Sequence, residues 1–214
     1  MEYRLTCINN SDMHGNFVLY QRPERSEGSA HIRSLAWQSR ATAPGTRVTF
    51  CWQTSTAFIW GEHGEYGGSP RFITSQEIEA DIDRDNLVDL RAGPFGAPAF
   101  SNLRATPSSD GLTIRQLNAR FDYPIFHGIA RDSAPLLIAP FHMNVSTTFV
   151  VDPVTYWVHF NDCRAGELLD QAQLDGSQRL EFTASRPAQT VSMGTDNIIR
   201  PVAEASWIRS RPGN

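Results

Sequence analysis

The chain has 214 residues, of which 40% are hydrophobic and 20% are charged, and this composition excludes an intrinsically disordered protein. A net charge of −4 without a basic stripe argues against nucleic acid as a partner. The N-terminus lacks the pattern of a secretion signal, and no apolar run approaches the roughly 18 residues of a membrane-spanning helix. The sequence therefore predicts a soluble cytoplasmic protein without a membrane partner.

Residues 3–9 and 16–21 are the first predicted strands, and a polar turn follows the first of them. The tryptophan-rich stretch 34–64 comes next. In it, residues 43–46 (APGT) combine a proline and a glycine at the central positions of a tight turn. After this turn, residues 47–52 alternate with period two, and the apolar residues on one face are the predicted core: Val48, Phe50 and Trp52.

The same alternation continues at residues 55–60, where Phe58 and Trp60 share one face of a strand. The stretch as a whole is typical of a meander of three antiparallel strands. The glycine-rich residues 62–70 then predict a long loop that leaves the sheet. Residues 75–81 and 86–91 are predicted to be edge or surface strands.

Further short strands follow at a spacing of about ten residues, with turn-forming clusters between them. This spacing predicts an all-β fold, an antiparallel, jelly-roll-like β-sandwich with little or no helix. The helical candidate, residues 164–173, is interrupted by Gly166 and is equally compatible with an extended segment. We expect a single domain over residues 1–208 and a frayed tail at 209–214.

No strong catalytic motif is present, so six scattered histidines and a few aromatic residues remain as candidates. His159 shares a strand face with Trp157. If that face lines a cleft with Trp60 and Glu62, His159 and Glu62 form a candidate catalytic acid–base pair. The alternative is a surface or capping histidine beside a solvated carboxylate.

The candidate ligand-binding residues are Trp37, Trp60, Trp157, His127 and His142. Tryptophans in a sandwich usually belong to the core, but exposed ones provide a stacking surface for sugars or flat organic molecules. His127 and His142 could join His159 as zinc ligands, but ligands scattered in this way favour no metal and no cofactor. Three cysteines without metal spacing predict free thiols.

Several short segments resemble the RhiA-like proteins, small bacterial proteins named for expression in the rhizosphere: residues 8–11 (INNS), 34–37 (SLAW), 44–46 (PGT), 58–62 (FIWGE), 156–158 (YWV) and 166–170 (GELLD). The resemblance implies a compact, mostly β protein whose expression is regulated by quorum sensing. It implies no particular catalytic residues. Residues 121–141 depart from the family pattern, being richer in histidine, arginine and proline, so a local specialised activity is expected there. The tail beyond residue 189 is hard to match.

Three functions are compatible with these observations. The leading hypothesis is a β-sandwich that binds a small ligand, a carbohydrate or a hydrophobic metabolite, in an aromatic cleft. The alternative is a cofactor-independent cyclase or isomerase of a polyketide-like or terpenoid-like pathway. A third hypothesis is a self-assembling structural or storage protein, and a homo-oligomer is compatible with the sequence in each case.

Overall fold

The computed structural model describes residues 2–23, 31–66, 69–106, 111–150, 152–170 and 174–202. Within these ranges the regular secondary structure is nearly all strand, which confirms the predicted all-β class, and no helix there has the length and hydrophobicity to cross a bilayer. In chain order the strands are β1 (Glu2–Asn9), β2 (Gly15–Tyr20), β3 (Arg33–Ser34), β4 (Gln38–Thr42), β5 (Arg47–Gln53), β6 (Thr56–Tyr66), β7 (Ser69–Ala80), β8 (Leu87–Ala92), β9 (Pro98–Arg104), β10 (Gly111–Gln116), β11 (Phe126–Arg131), β12 (Ala134–Pro140), β13 (Ser146–Val150), β14 (Thr155–Asn161), β15 (Gln178–Glu181), β16 (Ala188–Met193) and β17 (Ile199–Pro201).

These strands form four sheets. Sheet I has the order β17-β16-β1-β5, and sheet II has the order β15-β14-β2-β4. Sheet III has the order β3-β12-β11-β6-β7, and sheet IV has the order β13-β10-β8-β9. Neighbouring strands are antiparallel, as predicted, apart from the parallel pairs β1 with β16 and β8 with β10.

One main core receives side chains from all four sheets. Alternate apolar residues of the strands point into this core. Each sheet contributes at least one fully buried residue, and examples from sheets I to IV are Phe50, Tyr156, Phe58 and Leu90. The predicted core face of β5 is confirmed for Phe50 and Trp52, which are buried, whereas Val48 is half-buried at its margin.

Two smaller apolar clusters lie outside the main core, on the second faces of sheets II and III. Tyr20 of β2 packs in a cluster with Leu169, and Ile59 of β6 packs in a cluster with Leu168. Both faces of these strands are therefore buried, because the segment that contains Leu168 and Leu169 covers them.

This covering segment, residues 163–170, is extended and not helical. The Ala36 amide donates to the Glu167 carbonyl at 2.8 Å, and the Phe72 amide donates to the Gly166 carbonyl at 2.9 Å. The helical alternative for residues 164–173 is thus wrong over its described part, 164–170; residues 171–173 lie outside the described residues. Backbone pairing with two neighbouring segments outweighs the local helix propensity.

The predicted three-stranded meander is also wrong. The turn at residues 43–46 forms as expected, with Gly45 at φ = 74° and the Thr46 amide donating to the Ala43 carbonyl. However, β4 pairs with β2, β5 pairs with β1, and β6 pairs with β7 and β11. The three strands therefore belong to three different sheets, because none of them pairs with another of the three.

The glycine-rich loop predicted at residues 62–70 is a hairpin instead. Strand β6 runs on to Tyr66 and β7 begins at Ser69, with a register shift at Trp60 and Gly61. A Cβ atom at Gly61 would lie 2.0 Å from the carbonyl oxygen of Ile73. Glycine here permits a close approach of two strands and does not mark a turn.

Of the two predicted edge strands, one is at the edge of its sheet and the other is not. Strand β7 is at the edge of sheet III, as predicted, but β8 lies inside sheet IV between β10 and β9. Asp89 of β8 is charged but fully buried, because arginines from both neighbouring strands bind its carboxylate. The single domain over residues 1–208 stays a prediction, and the tail at 209–214 lies outside the described residues.

We expect Gly61→Ala to lower the free energy of unfolding by about 1–3 kcal/mol, because the added methyl group collides with the backbone of the facing strand. Urea denaturation measures the change. Gly194→Ala is the matched control, because its Cβ would meet the flexible end of Asp196 at 3.0 Å, and we expect a change within about 0.5 kcal/mol. Equal losses in both variants would contradict the role given to Gly61.

Candidate functional site

The largest described pocket that is lined by aromatic rings has a volume of ≈560 Å³. Two segments form it: the irregular connection between β10 and β11, residues 119–126, and the turn after β12, residues 140–143. We call it the His142 pocket. Both segments lie at the ends of residues 121–141, the region in which the sequence leads us to expect a local specialised activity.

Aromatic side chains dominate the walls of the His142 pocket. Phe121 and Phe141 are half-buried, pack against the main core, and meet edge to face with ring centroids 5.1 Å apart. Phe126 lines the pocket from the first residue of β11, and Tyr123 is 41% exposed at the surface. The rim also carries charged and titratable groups, namely Arg120, Asp122 and His142. This combination of aromatic walls and a few polar groups is typical of small-molecule sites.

The buried side chain of Gln116, the last residue of β10, holds the turn in place. Its Oε1 accepts a hydrogen bond from the His142 amide at 2.5 Å, and its Nε2 donates to Thr147 Oγ1 at 3.0 Å. The Phe141 amide donates to the Ile125 carbonyl at 3.1 Å, which joins the two segments directly. The pocket is therefore fixed by hydrogen bonds from both the sheet and the opposite segment.

Four of the six histidines lie in or beside this pocket. His142 lines it, and the His31 ring lies 5.8 Å from the His142 ring. The His63 ring is 4.0 Å from that of Phe126, and burial followed by the charge of Arg33 lowers the pKa of His63. His127 lies near enough to His142 for the charge of one to affect the other.

His127 itself is fully buried, between Trp60 and Ala139 in the register of sheet III. Neither ring nitrogen has a hydrogen-bond partner among the described residues, and the ring lies 5.8 Å from that of Phe149. Burial, with a smaller effect from the charge of His142, lowers the pKa of His127 to about 3. His127 is thus a neutral imidazole beneath the pocket and does not line it.

The structure does not bring the predicted tryptophans together in one cleft. Trp37 is 1% exposed, stacks on Tyr156 with centroids 5.6 Å apart, and donates from Nε1 to the Arg131 carbonyl. Trp60 is also buried in the main core. Trp157 is half-buried on the second face of sheet II, with the Arg22 guanidinium 3.9 Å above its ring. Trp37 and Trp60 are therefore core residues.

The residues of the predicted pair, His159 and Glu62, are on different sheets. His159 lies on β14 in sheet II and Glu62 on β6 in sheet III. As predicted, His159 shares a face with Trp157, and burial followed by the charge of Arg22 lowers the pKa of His159. The charged groups that act on this pKa are Arg22 and Asp175, and not Glu62.

Among the described residues, no group of three or more histidine, cysteine, aspartate or glutamate side chains is arranged to hold a metal ion. His127, His142 and His159 therefore do not form such a group. The three cysteines are free, as predicted.

The pocket residues Phe121, Tyr123 and Phe141 are not among the individual candidates from the sequence, although they lie in the region 121–141 for which a local specialised activity is expected. The available signal was a local one: residues 119–126 and 140–143 combine aromatic residues with Pro124 and Pro140, which interrupt regular strands. Their convergence depends on the pairing of distant strands, and the sequence pattern does not show it.

A family model described as RhiA matches residues 1–202 of the chain. The match confirms the resemblance noted in the sequence and extends it through the middle of the chain and beyond residue 189. No curated protein matches the chain, and no solved structure does.

We expect His127→Leu to make the folded protein more resistant to acid. With a pKa of about 3 in the folded chain and about 6.5 when unfolded, His127 binds a proton only on unfolding between these pH values. Its contribution makes the free energy of unfolding fall by about 1.4 kcal/mol per pH unit as the pH decreases through this window. Urea denaturation at several pH values between 7 and 4 should show a smaller slope for the variant.

His14→Leu is the control for this measurement, since His14 is exposed. It should keep the wild-type slope. An unchanged slope in His127→Leu would show that His127 is not the buried neutral group described above.

Proposed function

The chain belongs to the RhiA family, and we propose that it binds a small, largely apolar organic ligand in the His142 pocket. The observation that carries the proposal is the pocket itself, with ≈560 Å³ of space and an aromatic lining. This volume lies within the range of about 300–1,000 Å³ that is usual for small-molecule sites. A hydrophobic metabolite or the apolar face of a sugar suits such walls.

The aromatic rings supply most of the contact area. The edge-to-face pair of Phe121 and Phe141 presents both a ring face and a ring edge, so a flat or ring-shaped ligand can stack against it. Tyr123, which is partly exposed, can close over the ligand from the solvent side. Ring surface of this kind favours ligands that are poorly solvated in water.

The polar groups at the rim orient the ligand. Arg120 and His142 offer hydrogen-bond donors and Asp122 offers acceptors, so a ligand with one polar substituent has complementary groups of either kind. The Gln116 hydrogen bond to the His142 amide keeps this part of the rim in a defined position.

A cofactor-independent cyclase or isomerase is the alternative proposal. Because His159 and Glu62 lie in different sheets, the acid–base groups would come from the pocket, where His142, Asp122 and Tyr123 line one space. In an enzyme, His142→Ala should reduce turnover by about 10²-fold or more. In a binding protein, the variant should keep most of its affinity and the ligand should be recovered unchanged. A storage role, the third hypothesis, does not require a pocket, so the pocket favours ligand binding.

The fluorescent probe 1-anilinonaphthalene-8-sulfonate, which is aromatic and largely apolar, tests the binding proposal. We expect saturable binding to the native protein, and we expect Tyr123→Ala and Phe141→Ala each to weaken it by about tenfold, which corresponds to about 1.4 kcal/mol. Fluorescence titration measures the dissociation constants, and thermal unfolding of each variant shows that it is folded.

Phe95→Ala is the matched control. Phe95 is 99% exposed in the turn between β8 and β9, so this substitution removes a similar aromatic ring at a site outside the pocket. Its affinity for the probe should equal that of the wild type. A similar loss in Phe95→Ala, or no loss in the two pocket variants, would contradict binding in the His142 pocket.

A further inference from the structure

Asp89 is a fully buried carboxylate in the middle of sheet IV, on the face opposite the main core. Arg115 binds it in a bidentate manner, from Nε to Oδ1 and from Nη2 to Oδ2, both at 2.8 Å. Arg104 Nη2 donates to Oδ1 at 3.0 Å, and Asn102 Nδ2 donates to Oδ2 at 3.0 Å. Burial raises the pKa of Asp89, but these hydrogen bonds outweigh it and hold the pKa at about 2. The carboxylate is therefore ionised and fully paired.

Sheet IV carries an excess of positive charge, although the net charge of the chain is −4. Its four strands, all within the described residues, contain three arginines (Arg91, Arg104 and Arg115) and a single acidic residue, Asp89. One guanidinium neutralises Asp89, so the second guanidinium in contact with it leaves an uncompensated positive charge. A positive patch on an acidic protein attracts anions selectively to that face.

The two guanidiniums in contact with Asp89 are accessible from solvent. The side chains of Arg104 and Arg115 are 35% and 48% exposed, and they border an open depression of ≈520 Å³ together with Asn102 and Leu103. Each guanidinium uses two of its nitrogens in the described hydrogen bonds. Their remaining N–H groups have no partner among the described residues and are free to donate outward.

The backbone around this cluster has an unusual conformation that positions the donors. Asn102 has φ = 52°, in the left-handed region, and the pairing of β8 with β9 shifts register between Leu87 and Asp89. The Asn102 carbonyl accepts a hydrogen bond from Arg104 Nη1 at 2.5 Å, so the same residue holds both Asp89 and Arg104. A non-glycine residue in this region costs free energy, and it persists where surrounding interactions fix it.

We propose that Arg104 and Arg115 form a binding site for an anionic oxygen group, a carboxylate or a phosphate of a small molecule, on the outer face of sheet IV. Asp89 is the positioning residue, because it holds nitrogen atoms of both guanidiniums around the single oxygen Oδ1. Without this carboxylate the two like charges would separate. Arginine side chains fixed in this way offer the planar donor array that suits carboxylate and phosphate oxygens. The site does not depend on the His142 pocket.

Titration with inorganic phosphate and, separately, with citrate tests this site and distinguishes the two chemistries. We expect saturable binding with a dissociation constant below about 10 mM for at least one of them, detected as shifts of the Arg104 and Arg115 side-chain resonances in ¹H–¹⁵N NMR spectra. Arg104→Gln should weaken binding by about tenfold, the effect of losing charge-assisted hydrogen bonds. The anion that binds more tightly identifies the ligand chemistry.

Arg91→Gln is the matched control, because it removes the same charge from an exposed position on a strand of the same sheet. Its affinity should change by less than about twofold, because the arginines that bind Asp89 are Arg104 and Arg115, and an exposed charge outside this cluster is screened by salt. Leu103→Glu, at a position 38% exposed in the depression, should abolish binding without disturbing the Asp89 hydrogen bonds. No saturable binding of either anion, equal losses in Arg91→Gln and Arg104→Gln, or unchanged binding in Leu103→Glu would overturn the proposal.

Discussion

The packing of four aromatic rings around Trp52 determines how three of the four sheets meet. Trp37, Tyr156, Phe182 and Tyr3 all lie within 5.9 Å of the Trp52 ring or of one another, in tilted, edge-to-face or stacked geometry. Sheet III joins this cluster through the buried Arg131, which accepts a hydrogen bond from the Trp37 indole and donates one to the Tyr156 hydroxyl. A buried guanidinium is costly unless it is paired, and the Asp152 carbonyl supplies a further acceptor. The sheets therefore cannot shift without exposing or unpairing this group.

A single strand, β11, connects the aromatic cluster to the His142 pocket. Strand β11 ends at Arg131 in the aromatic cluster and begins at Phe126 in the wall of the His142 pocket, with His127 next to it in the core. Because β11 is hydrogen-bonded on both sides, by β6 and by β12, its two ends keep a fixed separation. The aromatic cluster around Trp52 thus sets the position of the pocket wall. The rest of the pocket is made by irregular segments, which tolerate changes in sequence with a smaller loss of stability.

How far the sequence predicts this structure depends on the range of the interactions. Local rules were sufficient for the turn at residues 43–46 and for the inward face of Phe50 and Trp52, because turn chemistry and strand alternation act between near neighbours. They failed for Gly61, whose role is a contact with Ile73, twelve residues later in the chain, and for the partners of β4, β5 and β6. His142 was identified as a candidate, but its pocket was not, because two distant segments create it. The sequence also predicts His127 as a ligand-binding residue, and only the tertiary structure shows that its side chain is fully buried.

The two proposed sites meet on strand β10, and the alternation of that strand keeps them apart. Gln116 points inward and holds the His142 turn, whereas its neighbour Arg115 points outward and holds Asp89. Consecutive side chains of a strand face opposite sides of the sheet. A substitution on the outer face at Arg104 or Leu103 therefore leaves the inner hydrogen bonds of Gln116 intact, and a substitution in the pocket leaves the Asp89 cluster intact. The geometry of strand β10 thus keeps the two proposed sites on opposite faces of sheet IV.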